Sequence, residues 1–242
     1  MVLIDAFMFF NELDVLEKRI RYLYDTVDFF IIVESPETHM GNPKPLYFEE
    51  NKDRYKQWLP KIKHIISDTC PEPYRSEYFG IEKFQRHEIL KGLRDAKDTD
   101  IILISDADEI PDKSLIDKVH PTCSLHMTMF EYSFDYMFDG EPWVGTVLTS
   151  VGDVKRYGPN YFRYNRWRFP ITKDAGWHLS SFGDDKHLKN KIENYAHAPD
   201  EKHKGQTIDD FKKYINEGIH ADGKTKLIKT PLEVKLTLSH LL

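Results

Sequence analysis

Cysteine is scarce: Cys70 and Cys123 are the only two in 242 residues. That excludes a disulfide scaffold and any metal site built from cysteine alone. A chain of this length folds around its own core without such staples, so two free, buried thiols are expected. Long apolar runs are missing too. The opening stretch MVLIDAFMFFNELD has no basic segment, is interrupted by Asp5 and ends at Asn11 and Glu12. It is too short to span a bilayer and carries no cleavage pattern. The expectation is a soluble, cytoplasmic protein, or a Golgi one only if an anchor has been removed. Positive charge is also short. Lys+Arg 34 against Asp+Glu 40 leaves −6, with no basic block beyond stretches such as 202–204, so nucleic acid is not an expected partner. The patterns GxGxxG, Walker A, HExxH and GxSxG are all absent, which disfavours dinucleotide oxidoreductases, P-loop enzymes and serine hydrolases.

What is present is a strand–helix alternation over the first 111 residues. Residues 2–10, 28–34, 62–66 and 100–105 are short apolar runs that read as buried strands. Leu13, Leu16, Ile20, Leu23 and Val27 recur at helical spacing, with Asn11 as the expected cap. Residues 49–58 and 76–97 read as further helices, and 35–45, with three prolines and a glycine, as a loop. Beyond Pro111 the pattern is mixed. Strands are expected at 125–132, 144–150 and 161–167, and helices at 185–195 and 208–218. This predicts one α/β domain over 1–242, with a Rossmann-like, mostly parallel sheet. Residues 1–111 form a nucleotide-binding half and 112–242 a mixed, acceptor-side half.

The sharpest local signal is SDADEIP at 105–111. It places acidic residues at the carboxyl end of a buried strand, where open α/β sheets bind ligands. Asp106 and Asp108 have the spacing to converge on one hard cation, manganese or magnesium, with a diphosphate completing the shell. The plain alternative is an acidic turn capping the next helix, but carboxylates crowded at a buried strand end repel one another unless a cation is present. Arg86 shares a helical face with Leu90 and Leu93, so it points inward and needs a partner. It is read either as a structural ion pair or, with Gln85, as a brace for the acidic site or a contact to an anionic ligand. GWHLSSFGDD at 176–185 offers Trp177 to stack on a sugar, His178 to bind metal, and Asp184 and Asp185 as carboxylates; a helix-start role for the two aspartates is the alternative. His197, in YAHAPD, is a second candidate metal ligand.

The strings IDAFMFFNELDVLEKRI, VDFFIIVESPETHMGNPKPLYF, SDADEIP and AGWHLSSF resemble glycosyltransferase family 17 from about Ile4 to about Gly223. The ordered FFNELD and VESPETHMGNPKPL strings are far more specific than a lone DxD. The resemblance implies a GT-A-like fold, a UDP-sugar donor (UDP-GlcNAc), inversion at the anomeric carbon and a glycan acceptor such as an N-glycan. It also implies a divalent metal, manganese above magnesium, on the DxD-type residues Asp106 and Asp108, with His178 or His197 completing the shell. Beside the animal member the expectation is a form without stem or anchor, and Leu-Ser-Ser-Phe follows its GWH where animal and plant members are cysteine-rich. It is thus similar to compact microbial or large-virus members.

An acceptor hydroxyl needs a base on the acceptor side. Asp185 or Asp184 is the expectation, by loose similarity to the Trp-Gly-acidic stretch of inverting galactosyltransferases, with Glu131 and Asp174 in reserve. Phe9, Asn11, Glu12 and Glu34 lie at strand ends beside the expected nucleotide cleft. Glu34 is expected to accept from ribose or uracil and Lys44 to meet a phosphate, unless each is a cap or surface pair. Two further classes compete: a nucleotidyltransferase, which would carry a Gly-rich basic loop that residues 1–20 lack, and a non-catalytic glycan-binding relative.

Overall fold

The computed structural model describes all residues except 117–121, 142, 186–187, 191–205, 239–240 and 242. Four strands run parallel in the order β3-β2-β1-β4: β1 (Leu3–Phe9), β2 (Phe29–Glu34), β3 (Ile62–Ile66) and β4 (Ile101–Asp106). The second half adds strands of both directions. β8 (Trp143–Ser150) joins β4 antiparallel, and β6 (Cys123–Glu131) joins β8 antiparallel. A register shift falls between Ser124 and His126, and the pairing with β8 runs on to Met127. The later residues of β6 pair in parallel with β10 (Gly176–Ser180), whose other edge takes the short β5 (Glu109–Pro111). β7 (Tyr136–Met137), β9 (Ile171–Thr172) and β11 (Ile228–Lys229) complete the edges. The expected parallel first half and mixed second half are both present.

Alternation along β1 sends Ile4 and Ala6 to one face and Phe7 and Phe9 to the other. The helix Leu13–Leu23 covers the Phe7 face with Leu16, Ile20 and Leu23, joined by Tyr55 and Trp58. Ile89, Leu93, Val151, Val154 and Phe162 cover the opposite face. Burial on both faces is why β1, β2 and β4 are continuous apolar runs rather than alternating ones. Cys70 and Cys123 are free and buried, as expected. Among the described residues no helix is long and apolar enough to cross a membrane.

Four local expectations are corrected. Asn11 does not cap the first helix; Glu12 precedes it, and its Oε2 accepts from the backbone N–H groups of Phe10 and Asn11. Residues 49–58 hold the end of a short helix, Tyr47–Glu50, and a 3₁₀ turn, Lys52–Tyr55, instead of one helix. The long helix expected at 76–97 is broken into Gly80–His87 and Ile89–Gly92. Phe79 is left-handed at φ 56°, and the chain packs so tightly behind it that a Cβ on Gly80 would stand 1.6 Å from the Tyr74 carbonyl oxygen. The strand expected at 161–167 is a helix, Pro159–Tyr164, followed by a 3₁₀ turn. Pro159 at its first turn presets the helical φ, which outweighs the β preference of the aromatic run. The helix expected at 185–195 lies largely outside the described residues.

Candidate active site

β4 ends in the turn Asp106-Ala107-Asp108, which leads directly into β5. Ile102, Ile104 and Asp106 share one face of β4 by alternation, the face covered by the helices Gly80–His87 and Pro159–Tyr164. Those helices bring two guanidinium groups to Asp106. Arg86 Nη2 stands 3.4 Å from Asp106 Oδ1 and donates to Glu82 Oε1 at 2.6 Å. Arg163 Nη2 donates to Asp106 Oδ2, while its Nη1 donates to both oxygens of Glu109 at 2.9 Å. Burial alone would raise the Asp106 carboxyl, but Arg163 and Arg86 outweigh it and hold it below the usual carboxylate range. Arg163 is likewise held firmly charged: burial opposes this, and Asp106 and Glu109 overcome it.

This corrects the argument that the crowded acidic turn needs a bound cation. The protein supplies the cations itself, as side chains. Glu109, fully buried, accepts from Trp143 Nε1 at 2.8 Å and from the Asp106 backbone N–H at 3.1 Å, besides Arg163. It holds the turn in shape and does not face a ligand. Gly145 makes room for it, since a Cβ there would lie 2.9 Å from the Glu109 carboxyl carbon. On the other face of β4 Arg19 braces the turn from beneath. It donates to both oxygens of Asp5, to Ser105 Oγ, and to the carbonyls of Asp106, Ala107 and Glu109.

Asp108 reaches toward β10. The His178 Nε2 lies 3.4 Å from Asp108 Oδ2, and the imidazole stacks on Trp143 at 4.4 Å between ring centres. The Asp108 carbonyl accepts from the Leu179 N–H at 2.8 Å, tying turn to strand. Asp108 and His178 therefore make an oxygen–nitrogen pair beside Asp106. Among the described residues no three His, Cys, Asp or Glu side chains form a ready-made metal shell. Asp108 and His178 both lie close enough to Asp106 to act on its charge, while the two arginines hold that carboxylate in place. His197 lies outside the described residues.

The first-half candidates gather at the carboxyl ends of β1 and β2, with unequal roles. The Phe9 ring is buried in the core edge-on to Phe48, so it is no wall of a cleft. Glu34 is fully enclosed; it accepts from the Phe48 and Glu49 N–H groups and faces His64, which leaves it an internal anchor rather than a ribose or uracil partner. Gln85 donates to the carbonyls of Val33 and Phe9, joining the ends of β2 and β1. Lys44 stands 3.7 Å from Glu34 and over the rings of Phe10 and Tyr47. Burial draws its ammonium below the usual range although Glu34 and Glu12 oppose this. Asn11 keeps a buried Oδ1 with no hydrogen-bond partner among the described residues.

The remaining candidates divide by strand alternation. Trp177 and His178 point to opposite faces of β10. Trp177 packs edge-on to Tyr22 at 5.6 Å and lines a separate pocket with Asp112, Lys113, Thr128 and Asp174, so the structure does not bring it to Asp106. Asp184 and Asp185 are exposed; Asp185 pairs with Lys212 at 2.7 Å. Asp174 projects into solvent near His126, whereas Glu131 is fully buried. Sequence reasoning missed Arg163, Arg19, Glu109 and Trp143. Arg19 was detectable, because it sits in the apolar stripe between Leu16 and Leu23. Arg163 was hidden by the strand reading of its segment.

The family model described as Glycosyltransferase family 17 matches residues 2–221. A β-1,4-mannosyl-glycoprotein 4-β-N-acetylglucosaminyltransferase of Rattus norvegicus is 31% identical over 114 residues, 45% of this chain and 21% of the relative. Its Homo sapiens counterpart is 31% identical over 107 residues, 42% of this chain and 20% of the relative. The match thus spans about a fifth of the length of these relatives. Among solved structures, the galactosyltransferase LgtC with donor and acceptor sugar analogues is similar with TM-score 0.35 and 13% identity, covering 69% of this chain and 64% of that one. A putative glucose-1-phosphate thymidylyltransferase from Bacillus anthracis gives TM-score 0.41 and 8% identity, covering 73% and 88%.

Proposed function

The chain belongs to glycosyltransferase family 17, and on that premise we propose that it transfers N-acetylglucosamine from UDP-GlcNAc to a glycan hydroxyl with inversion. The observation that carries this is the Asp106–Asp108–His178 group at the carboxyl edge of a parallel sheet, the place where such sheets bind nucleotides. Asp108 and His178 would hold a divalent cation, manganese above magnesium, as a mixed oxygen–nitrogen pair; when bound, that ion would offset the charge of the departing diphosphate.

The chain's own residues do the rest. Arg86 and Arg163 keep Asp106 ionised and still, so its exposed edge accepts from hydroxyls of the donor ribose or sugar. The orphaned Asn11 Oδ1 offers an acceptor to the nucleoside. Lys44, the cation beside Phe10 and Tyr47, draws the nucleotide's negative charge toward the ends of β1 and β2. The acceptor arrives from the β6–β10 side. The relatives' name points to a β-1,4-mannosyl-bearing glycoprotein as that acceptor.

The test is UDP release from UDP-GlcNAc, with a mannosyl N-glycan present or absent and manganese present or chelated. Glycan-stimulated release that needs manganese is expected. Release from another nucleotide sugar alone would move the donor assignment. Stabilisation by UDP and manganese without turnover would favour a non-catalytic relative.

A further inference from the structure

The proposed transfer needs a group to take the acceptor's proton, and one buried carboxylate elsewhere on the same sheet is unexplained. Glu131 ends β6. Its side chain is 0% exposed, yet neither oxygen has a hydrogen-bond partner among the described residues. Buried polar groups in native structures are almost always satisfied, and an exception asks for a reason.

Strand register places Glu131 with the site. β6 and β10 pair in parallel with Thr128 opposite Trp177, Met129 opposite His178, and Glu131 opposite Ser180. Paired residues share a face: Thr128 and Trp177 line one pocket. Alternation then puts Met129, His178, Ser180 and Glu131 on the opposite face, the one that carries Asp108. Glu131 is one strand over from His178, about 4.8 Å, and two residues further toward the carboxyl ends, about 6.6 Å. That separation leaves room for a sugar ring between the diphosphate side and the carboxylate.

Both strands end there in the same unusual way. The residue after Glu131, Tyr132, is left-handed at φ 66°, and the residue after Ser180, Ser181, at φ 56°. The Tyr132 N–H donates to the Ser180 carbonyl at 2.9 Å, locking the two ends together. Non-glycine residues hold this conformation where surrounding structure demands it, and such positions cluster at ligand sites.

An imidazole stands against the carboxylate. His220 Nε2 stands 3.7 Å from Glu131 Oε2, beyond hydrogen-bond reach. Its Nδ1 accepts from the Asp222 N–H at 3.2 Å, which leaves Nε2 as the ring nitrogen facing Glu131. Asp222 Oδ2 lies 3.5 Å from the same Nδ1.

We infer that Glu131 is the catalytic base of the transfer and that the His220 imidazole fills the place the acceptor hydroxyl takes. This rests on the transferase reading above. The acceptor O–H proton passes to a Glu131 oxygen while the acceptor oxygen bonds to the anomeric carbon. The bond from that carbon to the diphosphate breaks, its electron pair leaving with UDP. The Glu131 proton returns to solvent after product departs. This replaces Asp184 and Asp185 as the expected base, since both are exposed and Asp185 is held by Lys212.

The test uses UDP-GlcNAc with manganese and measures UDP release, with water or a mannosyl N-glycan as acceptor. Glu131→Gln, nearly isosteric, should lower kcat for glycan transfer about 10²-fold or more, with unchanged melting temperature and unchanged calorimetric affinity for UDP-GlcNAc. Glu131→Asp should recover part of the rate. His220→Ala should raise hydrolysis by water about threefold or more, which a purely structural contact would not do. Wild type active and Glu131→Gln within threefold of it would overturn this base alone. Loss of donor affinity in Glu131→Gln would overturn it by placing the carboxylate in the donor site. Unchanged or lower hydrolysis in His220→Ala would overturn the acceptor's place at the imidazole. A wild-type protein that releases no UDP from any of these mixtures would overturn the transferase reading and the base with it.

Discussion

The turn at 106–109 lies between two arginine–carboxylate centres, one on each face of β4. Beneath it, Arg19 and Asp5 are both 0% exposed. Every guanidinium nitrogen there is engaged by the Asp5 carboxylate, Ser105 or the turn's carbonyls. Above it, Arg86 and Arg163 hold Asp106, whose side chain is 34% exposed. The two centres share their chemistry and differ in closure. A closed centre has no acceptor left for a ligand and can only brace the fold. The open one fixes a charged carboxylate in place while leaving an edge for something else.

The largest effect should come from breaking the closed centre. Arg19→Met leaves Asp5 as a lone buried charge, and removing one partner of such a pair costs about 3–5 kcal/mol. Urea unfolding measures it, and the double variant Arg19→Met/Asp5→Leu should recover much of the loss. A single variant as stable as wild type would erase the distinction between the centres. The open side should respond the other way. Asp108→Asn should cut glycan transfer about 10²-fold, equivalent to about 2.7 kcal/mol of barrier. It should leave the unfolding midpoint within a degree or two of wild type, because its approach to His178, at 3.4 Å, is a long contact that an amide can keep. If it unfolds the protein instead, the turn is structural on both faces.

A smaller effect separates shape from charge. Gly145→Ala pushes a methyl group against the Glu109 carboxyl, which carries the Arg163 and Trp143 contacts. Overpacking of this kind costs about 1–3 kcal/mol, and transfer should fall along with stability, since Glu109 shapes the open side. Retained stability with lost transfer would show that the turn shifts without loosening.

The smallest effect lies at the other end of the same two strands. Asp100 accepts from the Val2 and Lys97 N–H groups. The Val2 bond does most to hold its carboxyl below the usual range, against burial and with help from the Lys97 bond. A depressed carboxyl stabilises the fold above its unfolded value, near pH 3.9, and the contribution is lost as pH falls through the lower folded value. Asp100→Asn should therefore cost about 1 kcal/mol at pH 7 and progressively less below pH 4 in thermal melts, with transfer unchanged. A cost that is the same at both pH values would mean that charge plays no part there.

These contrasts show where sequence reasoning succeeded and where it stopped. The strands were legible because β1, β2 and β4 are buried on both faces and so are written as unbroken apolar runs. The acidic turn was legible because its aspartates follow one of those runs directly. Arg86 was legible because its place in an apolar stripe points it inward, and it is buried on the helix Gly80–His87 although that helix ends before Leu90. The breaks at Phe79 and Gly80 were not legible, since a close approach of the Tyr74 carbonyl causes them. The helix at 159–164 was misread because aromatic residues favour strands only where a pleated surface receives them, and here Pro159 starts a helix instead.

By itself, the sequence determined the parallel half of the sheet, the acidic turn at its edge, an inward-pointing Arg86 and a resemblance that the family match bears out over residues 2–221. Tertiary structure alone decided which charges meet. It brought Arg163 from more than fifty residues away onto Asp106 and Glu109, turned Trp177 and His178 to opposite sides of one strand, and enclosed Glu34 and Phe9. The reason is physical. Periodicity in a chain records which residues face inward, because burial is a property of each position. The pairing of one buried charge with another depends on the register and packing of elements distant in sequence, and the chain carries no local mark of it.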